Sequence, residues 1–150
     1  MTQPTVRQIR ADEFPQLITL YQHLHPDDAP LPEADTLSVL WADILANPLL
    51  HYLVIELDQQ LVSSCTLAIT PNLTRGARPY GLIENVVTHQ AYRQRGLGQA
   101  VLHKALEIAW QADCYKVMLM TGSKEPGTLR FYEKAGFNRE EKTGFIAKPR

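Results

Sequence analysis

The stretch GLIENVVTHQAYRQRGLGQAVLHKAL, residues 81–106, decides how the chain is read. Its first seven residues are apolar on both faces apart from Glu84 and Asn85, the pattern of a central strand in a sheet covered on both sides. From Leu97 to Gln111 the residues Leu97, Val101, Leu102, Ala105, Leu106 and Ala109 recur at helical spacing. Between strand and helix lie Arg93, Arg95, Gly96 and Gly98. A basic, glycine-lined loop that opens a helix presents free N–H groups and the positive end of the helix dipole, which together favour an anion. On this reading the two glycines remove side chains where phosphate oxygens approach the main chain, and the two arginines add charge-assisted hydrogen bonds. An ordinary loop with solvated arginines is the alternative that the glycines alone leave open. Other phosphate motifs fit worse. A P-loop needs Lys-Ser/Thr after its last glycine, where Gln99-Ala100 stands, and a dinucleotide fingerprint needs a third glycine at Val101 and no THQAYRQR insertion after the strand.

Outward from this stretch, the elements alternate without repeat, low-complexity segment or interdomain linker, so the 150 residues are read as one domain. TVRQIR alternates as a short strand. A helix is expected over about 12–25, with Phe14, Leu17, Ile18, Tyr21 and Leu24 on its core face, followed by the acidic, proline-rich loop 25–35. A second helix begins near Asp35 or Thr36, carries Leu37, Leu40, Trp41, Ile44 and Leu45, and stops at Asn47-Pro48. HYLVIEL and LVSSCTLAI form a hairpin around Asp58-Gln59-Gln60, and 70–80 is a second irregular loop. YKVMLMTG completes a strand–helix–strand unit. TLRFYEKAG reads as a short helix ended by Gly136, and Phe137 onward as the closing strand or strands.

The net charge of −1 argues against a protein built wholly for nucleic acid or membrane, yet the halves differ. Residues 1–74 hold two basic and nine acidic side chains; residues 75–150 hold 13 basic and seven acidic ones. An anionic ligand on the C-terminal half follows. Cys65 and Cys114 sit in apolar sequence away from any ligand spacing and are read as buried reduced thiols of a cytoplasmic protein. No apolar run suits a signal peptide or a membrane span. The five histidines show no metal-ligand spacing and are read as solvated or capping groups, with no metal expected.

RQRGLG (93–98) resembles the R/Q-x-x-G-x-G/A pyrophosphate loop of the GNAT superfamily of N-acetyltransferases. LIENVVTHQAYR before it, RFYEKAGF at 130–137 and the element order strengthen the likeness, which spans nearly the whole chain. IENVV together with CYKVML (114–119) is similar to the glucosamine-phosphate N-acetyltransferases, although those usually show Glu-Asp where this chain has Glu84-Asn85. The resemblance implies an α/β fold whose mixed, mostly antiparallel sheet is splayed at its centre and flanked by about four helices. It implies acetyl-coenzyme A as co-substrate, held by Val86, Val87 and Thr88 of a bulged strand, by Arg93, Gln94, Arg95, Gly96, Leu97, Gly98 and Gln99 of the loop, and by Ser123, Phe131 and Tyr132. It implies a primary amine of a small molecule as acceptor and, through the closing segment FNREEKTGFIAKPR, a homodimer; a charge-protected edge strand is the other reading of that segment.

The chemistry asks for a polarised thioester carbonyl, a neutral amine and a proton donor for the departing thiolate. Backbone N–H groups near Val86 and Val87 are expected to serve the first need. Glu84, a carboxylate within an apolar central strand, is expected to be buried with a raised pKa and to act as general base, against a structural role or the positioning of a water. Asn85 is expected on the opposite face if the pleat is regular. The resemblance gives Tyr132 the role of acid, with Phe131 turned into the core; a packing tyrosine is the alternative. Relatives often carry a coenzyme-contacting asparagine where Glu125 stands, so Ser123 or Lys124 would have to substitute. Trp41 and Trp110 are read as core residues, Trp41 also as a possible wall of the acceptor pocket. The acidic side chains Asp27, Asp28, Glu33 and Asp35 would suit a cationic amine, whereas Arg75 and Arg78 would suit a phosphorylated amino sugar. A non-catalytic acyl-coenzyme A sensor and a protein-lysine or N-terminal acetyltransferase are the alternative functions. A nucleic-acid module lacks the interleaved aromatics it would need.

Overall fold

Two long strands, β2 (Leu50–Leu57) and β3 (Gln60–Thr70), pair antiparallel and form the frame on which the rest of the chain is laid. This computed structural model describes residues 3–150. The strands are joined through Asp58 and Gln59, both with positive φ (52° and 62°), the conformation that matches a two-residue turn to the right-handed twist of a hairpin. The short β1 (Arg7–Gln8) pairs with β2 on one side. On the other, β4 (Tyr80–Thr88) pairs antiparallel with β3, and β5 (Val117–Leu119) runs parallel to β4, so the strand order is β1-β2-β3-β4-β5. The sheet is therefore mixed and mostly antiparallel, as expected.

Helices cover both faces. Against one, α4 (Leu97–Gln111) buries Val101, Leu102, Ala105 and Ala109 on Leu53, Cys65, Leu67 and Ile83, with Phe131 and Tyr132 of α5 (Pro126–Lys134) packed at the margin. Against the other, α1 (Phe14–Tyr21) buries Leu17 and Leu20 on Ile9, Val54 and Val87. Trp41 docks α2 (Ala34–Ala46) there, stacking near Phe14 and Tyr52 and donating its indole N–H to the Ala11 carbonyl at 2.9 Å. The single turn α3 (Thr74–Ala77) lies in the loop before β4, with Arg75 and Gly76 in the left-handed region. Glu13, 1% exposed, sits between the Arg7 guanidinium (2.8 and 3.0 Å) and Arg10, and Arg7 also reaches Glu56 at 2.7 Å. This cluster ties the N-terminal strand and the start of α1 to β2.

Three expectations are corrected. The first helix is shorter than 12–25: a 3-10 turn at Ala11–Glu13 precedes α1, Pro15 stands in its first turn, and after Tyr21 the chain leaves through turns. No strand forms from Phe137 onward among the described residues; this polar tail leaves Phe145 90% and Ile146 69% exposed, and β5 is too short to offer it an edge. Trp110 is not a core residue but 52% exposed on the last turn of α4.

Candidate active site

The site starts from a defect in β4. Ser64 of β3 faces Val87 and Thr66 faces Glu84, so Cys65 alone spans the two residues Asn85 and Val86, and β4 carries a bulge. Asn85 takes the strain with φ 54°, in the left-handed region that asparagine tolerates better than most residues. Beyond the bulge β4 also loses its other neighbour, because β5 pairs with it only at Gly81, Leu82 and Ile83. Past Ile83 this edge of β4 is unpaired, and beside the end of the strand opens a cleft of about 1170 Å³. Its walls include Val86, Val87 and Thr88 of β4, Arg93, Gln94 and Gly96 of the loop, Leu97, Gly98 and Gln99 of α4, and Phe131 and Tyr132 of α5.

Two expectations about β4 are overturned here. Glu84 is exposed rather than buried as expected. Asn85 does not simply alternate away from it: its side chain lies with Thr66, the cross-strand partner of Glu84, against the hydroxyl of Tyr21. Tyr21 has no well-formed hydrogen bond there, and burial pushes its phenol up to about 12.

At the opposite end of the cleft the basic loop is held by its own side chains. Arg93 donates from Nε to the Thr88 carbonyl (3.1 Å) and from a terminal nitrogen to the His23 carbonyl (3.3 Å). Arg95 lies outside the lining of the cleft, its guanidinium 4.9 Å from the Tyr92 ring centre. Both arginines therefore fasten the loop, while Arg93 also lines the cleft together with Arg130 and Lys134 of α5. Gln94 (φ 63°) and Gly96 (φ 79°) turn the chain into α4, whose first helical bond runs from the Ala100 N–H to the Gly96 carbonyl at 3.1 Å. The amides of Leu97, Gly98 and Gln99 precede that bond and have no partner within the helix. Gly98 owes its identity to packing as well as to any ligand, since a Cβ there would stand 2.8 Å from Phe131 Cζ. Gln99 locks the two helices by donating to the Phe131 carbonyl at 2.8 Å, and leaves its own side-chain oxygen buried and unpartnered.

Tyr132 forms the far wall, half-buried and edge-on to Phe131 and Phe137. Burial raises its pKa, with the nearby Cys65 adding to the effect, so the phenol stays protonated well past neutrality. Cys65 itself is buried and pushed up to about 12, and burial raises Cys114 too; both are inert thiols, as read from sequence. Ser123 is not drawn into the cleft: its hydroxyl donates to Thr128 (3.1 Å) and accepts from the Glu125 N–H (3.2 Å), shaping the start of α5. In the second loop Arg78 is tied to Asp113 at 3.2 Å, and Arg75 lies over Tyr115. Among the described residues no group of three His, Cys, Asp or Glu side chains is placed to hold a metal, and no helix is long and apolar enough to cross a membrane. Beyond Tyr92 and the α5 residues Gly127, Thr128, Arg130, Glu133 and Lys134, the sequence reading of the site also missed His23, from the turn after α1, and Leu24 beside it. Only contact across the sheet brings them here, and no local pattern announces it. The cleft thus offers free amides, a basic surround and an elongated, partly apolar floor, which fit an extended molecule with an anionic head.

Residues 6–137 match the family model described as Acetyltransferase (GNAT) family. A glucosamine 6-phosphate N-acetyltransferase of Trypanosoma brucei brucei is 43% identical over 83 residues, 55% of this chain and 54% of that protein. A probable homologue of the same activity in Oryza sativa subsp. japonica is 31% identical over 69% of this chain and 64% of its own length. The chain thus spans between half and two thirds of these curated relatives. Among solved structures, an acetyltransferase of Trypanosoma brucei superposes with a TM-score of 0.80 at 30% identity, covering 97% of this chain and all of that one. The glucosamine-6-phosphate N-acetyltransferase of Arabidopsis thaliana shares the fold (TM-score 0.84) at 20% identity over 99% of both chains.

Proposed function

The chain belongs to the acetyltransferase (GNAT) family, and on that premise we propose that it transfers the acetyl group of acetyl-coenzyme A to the primary amine of a small molecule by direct attack in a ternary complex. An amino sugar phosphate of the glucosamine 6-phosphate kind heads the candidate acceptors, because the curated relatives bear that activity in their names. The observation that carries the reading is the cleft itself: it runs from the unpaired amides at the start of α4 to the Tyr132 phenol, along the edge of β4 that β5 leaves free.

Acetyl-coenzyme A supplies the activated acyl group, and the residues of this chain do the rest. Leu97, Gly98 and Gln99 present amides to the pyrophosphate, with Gln94 and Gly96 shaping the turn. Main-chain N–H groups near Val86 and Val87 polarise the thioester oxygen, made available by the bulge at Asn85. Tyr132 donates its proton to the sulfur as the carbon–sulfur bond breaks, a role suited to a phenol whose burial keeps it protonated. Glu84, solvent-facing at the bulge, receives the proton of the attacking amine through water or holds the ammonium beforehand. The test is a thiol-release assay with purified protein, acetyl-coenzyme A and a panel of amino sugars, amino sugar phosphates, polyamines and aminoglycosides. Acceptor-dependent release with an amino sugar phosphate is expected; binding of acetyl-coenzyme A without release across the panel would replace the enzyme by a sensor.

A further inference from the structure

We propose that His23, stacked on His89, is a phosphate ligand for coenzyme A, and that coenzyme binding is coupled to proton uptake at the His23 ring. The inference rests on the reading of the cleft given above. The two rings come from distant parts of the chain, one from the turn after α1 and one from the end of β4, and meet with centroids 4.0 Å apart and planes inclined by 36°. Each Nδ1 is already filled by a backbone donor: Gln90 N–H points to His23 at 3.3 Å and Ala91 N–H to His89 at 3.0 Å. In a neutral imidazole whose Nδ1 accepts, the proton resides on Nε2. Both rings are therefore fixed as Nε2–H donors, and among the described residues neither Nε2 has a hydrogen-bond partner in the protein. His23 lines the cleft beside Arg93, Gln94 and Gly96, at the end where the amides of α4 open.

A donor is wanted there. The two arginines of the loop engage backbone carbonyls and the Tyr92 ring, so they are partly spent on holding the loop itself. Burial, His89 and the Arg93 guanidinium all depress the pKa of His23 in the free protein. Tyr92 stands edge-on to His89, and Arg130, Glu133 and Lys134 of α5 line the cleft with them. A phosphate oxygen placed against Nε2 offsets the neighbouring Arg93 charge and favours the imidazolium; the added proton goes to Nδ1, which gives up the bond it accepts from the Gln90 N–H, so a proton enters as the anion binds. By the same linkage the coenzyme binds more tightly as pH falls from 8 to 6.

Titration calorimetry of acetyl-coenzyme A on the full chain, in buffers of different ionisation enthalpy at pH 6 and pH 8, tests this. The wild type is expected to take up protons at pH 6. His23→Phe, which keeps a ring against His89 but removes the donor, is expected to lose about tenfold in affinity at pH 6, less at pH 8, and to bind S-acetylpantetheine, which has no phosphate, as well as wild type. Affinities equal within twofold at both pH values would overturn the proposal, as would an equal loss for both ligands, which marks a merely structural ring. Should the variant not fold, the ring-proton titration of His23 in wild-type protein decides by NMR: it moves to higher pH on saturation with acetyl-coenzyme A, and an unmoved titration refutes the coupling. A wild type that binds no acetyl-coenzyme A at any pH overturns the proposed function as well, so the two failures are distinguishable.

Discussion

Tyr132 and the two glycines of the loop show how single residues divide between chemistry and support. Tyr132→Phe removes a proton donor and almost no volume, so kcat is expected to fall by about 10- to 100-fold while the Kd for acetyl-coenzyme A stays within about twofold; steady-state rates beside calorimetry check this. Equal turnover would place the acid elsewhere. Gly96 and Gly98 look equivalent in sequence but are not in space. Gly98→Ala drives a methyl into Phe131 and is expected to cost about 1–3 kcal/mol in denaturant unfolding. Gly96→Ala meets no atom and bears only the left-handed strain at φ 79°, about 1–2 kcal/mol. The reading of both as clearance for phosphate missed this difference because Phe131 lies on another helix. The burial expected of Glu84 fails for a related reason. Its apolar neighbours describe a buried strand, whereas β5 pairs with β4 only as far as Ile83 and leaves Glu84 uncovered, which no single strand's pattern records.

At the scale of elements, most of the order was legible because each helix and strand declares itself through its own period, as α4 does from Leu97 to Ala109. The ends were not. The first helix stops at Tyr21 because His23 and Leu24 turn to meet the loop after β4, a tertiary contact with no local signal. The last strand failed to form because a strand needs an edge, and periodicity is silent about whether one is offered. The bulge of β4 left one trace in sequence: Asn85, a residue type enriched where φ is positive. The expected behaviour follows from that conformation. Asn85→Gly should retain activity, while Asn85→Val, whose branched side chain is disfavoured at φ 54°, should lose about 1–3 kcal/mol of stability and at least tenfold in kcat. Thermal melts and steady-state kinetics on the pair separate loss of the bulge from loss of the side chain, since glycine keeps the first only.

For the molecule as a whole, the ion cluster of Arg7, Arg10, Glu13 and Glu56 joins the start of the chain to the sheet. The Arg7 guanidinium holds the Glu13 carboxyl below its ordinary value near 4.5. A depressed carboxyl stabilises the fold fully above its unfolded pKa and loses that contribution as pH falls through the folded one, so acid unfolding should begin below about pH 4.5. Glu13→Gln should flatten this dependence and cost about 2–4 kcal/mol at pH 7, read by urea unfolding across pH. We also propose that the exposed Phe145 and Ile146 dock on a second copy of the chain. Sedimentation at micromolar concentration should then show a dimer, lost with retained fold on truncation after Lys142; a monomer throughout refutes it. The end of the pairing between β4 and β5 has a consequence of another kind. Bare sheet edges ordinarily invite other proteins to add a strand and aggregate. Here the bare edge lies within the molecule, along a slot walled by α4 and α5. Such a slot works as a gauge of girth: a folded neighbour cannot enter, and only a guest as slender as a single extended chain can reach the waiting backbone.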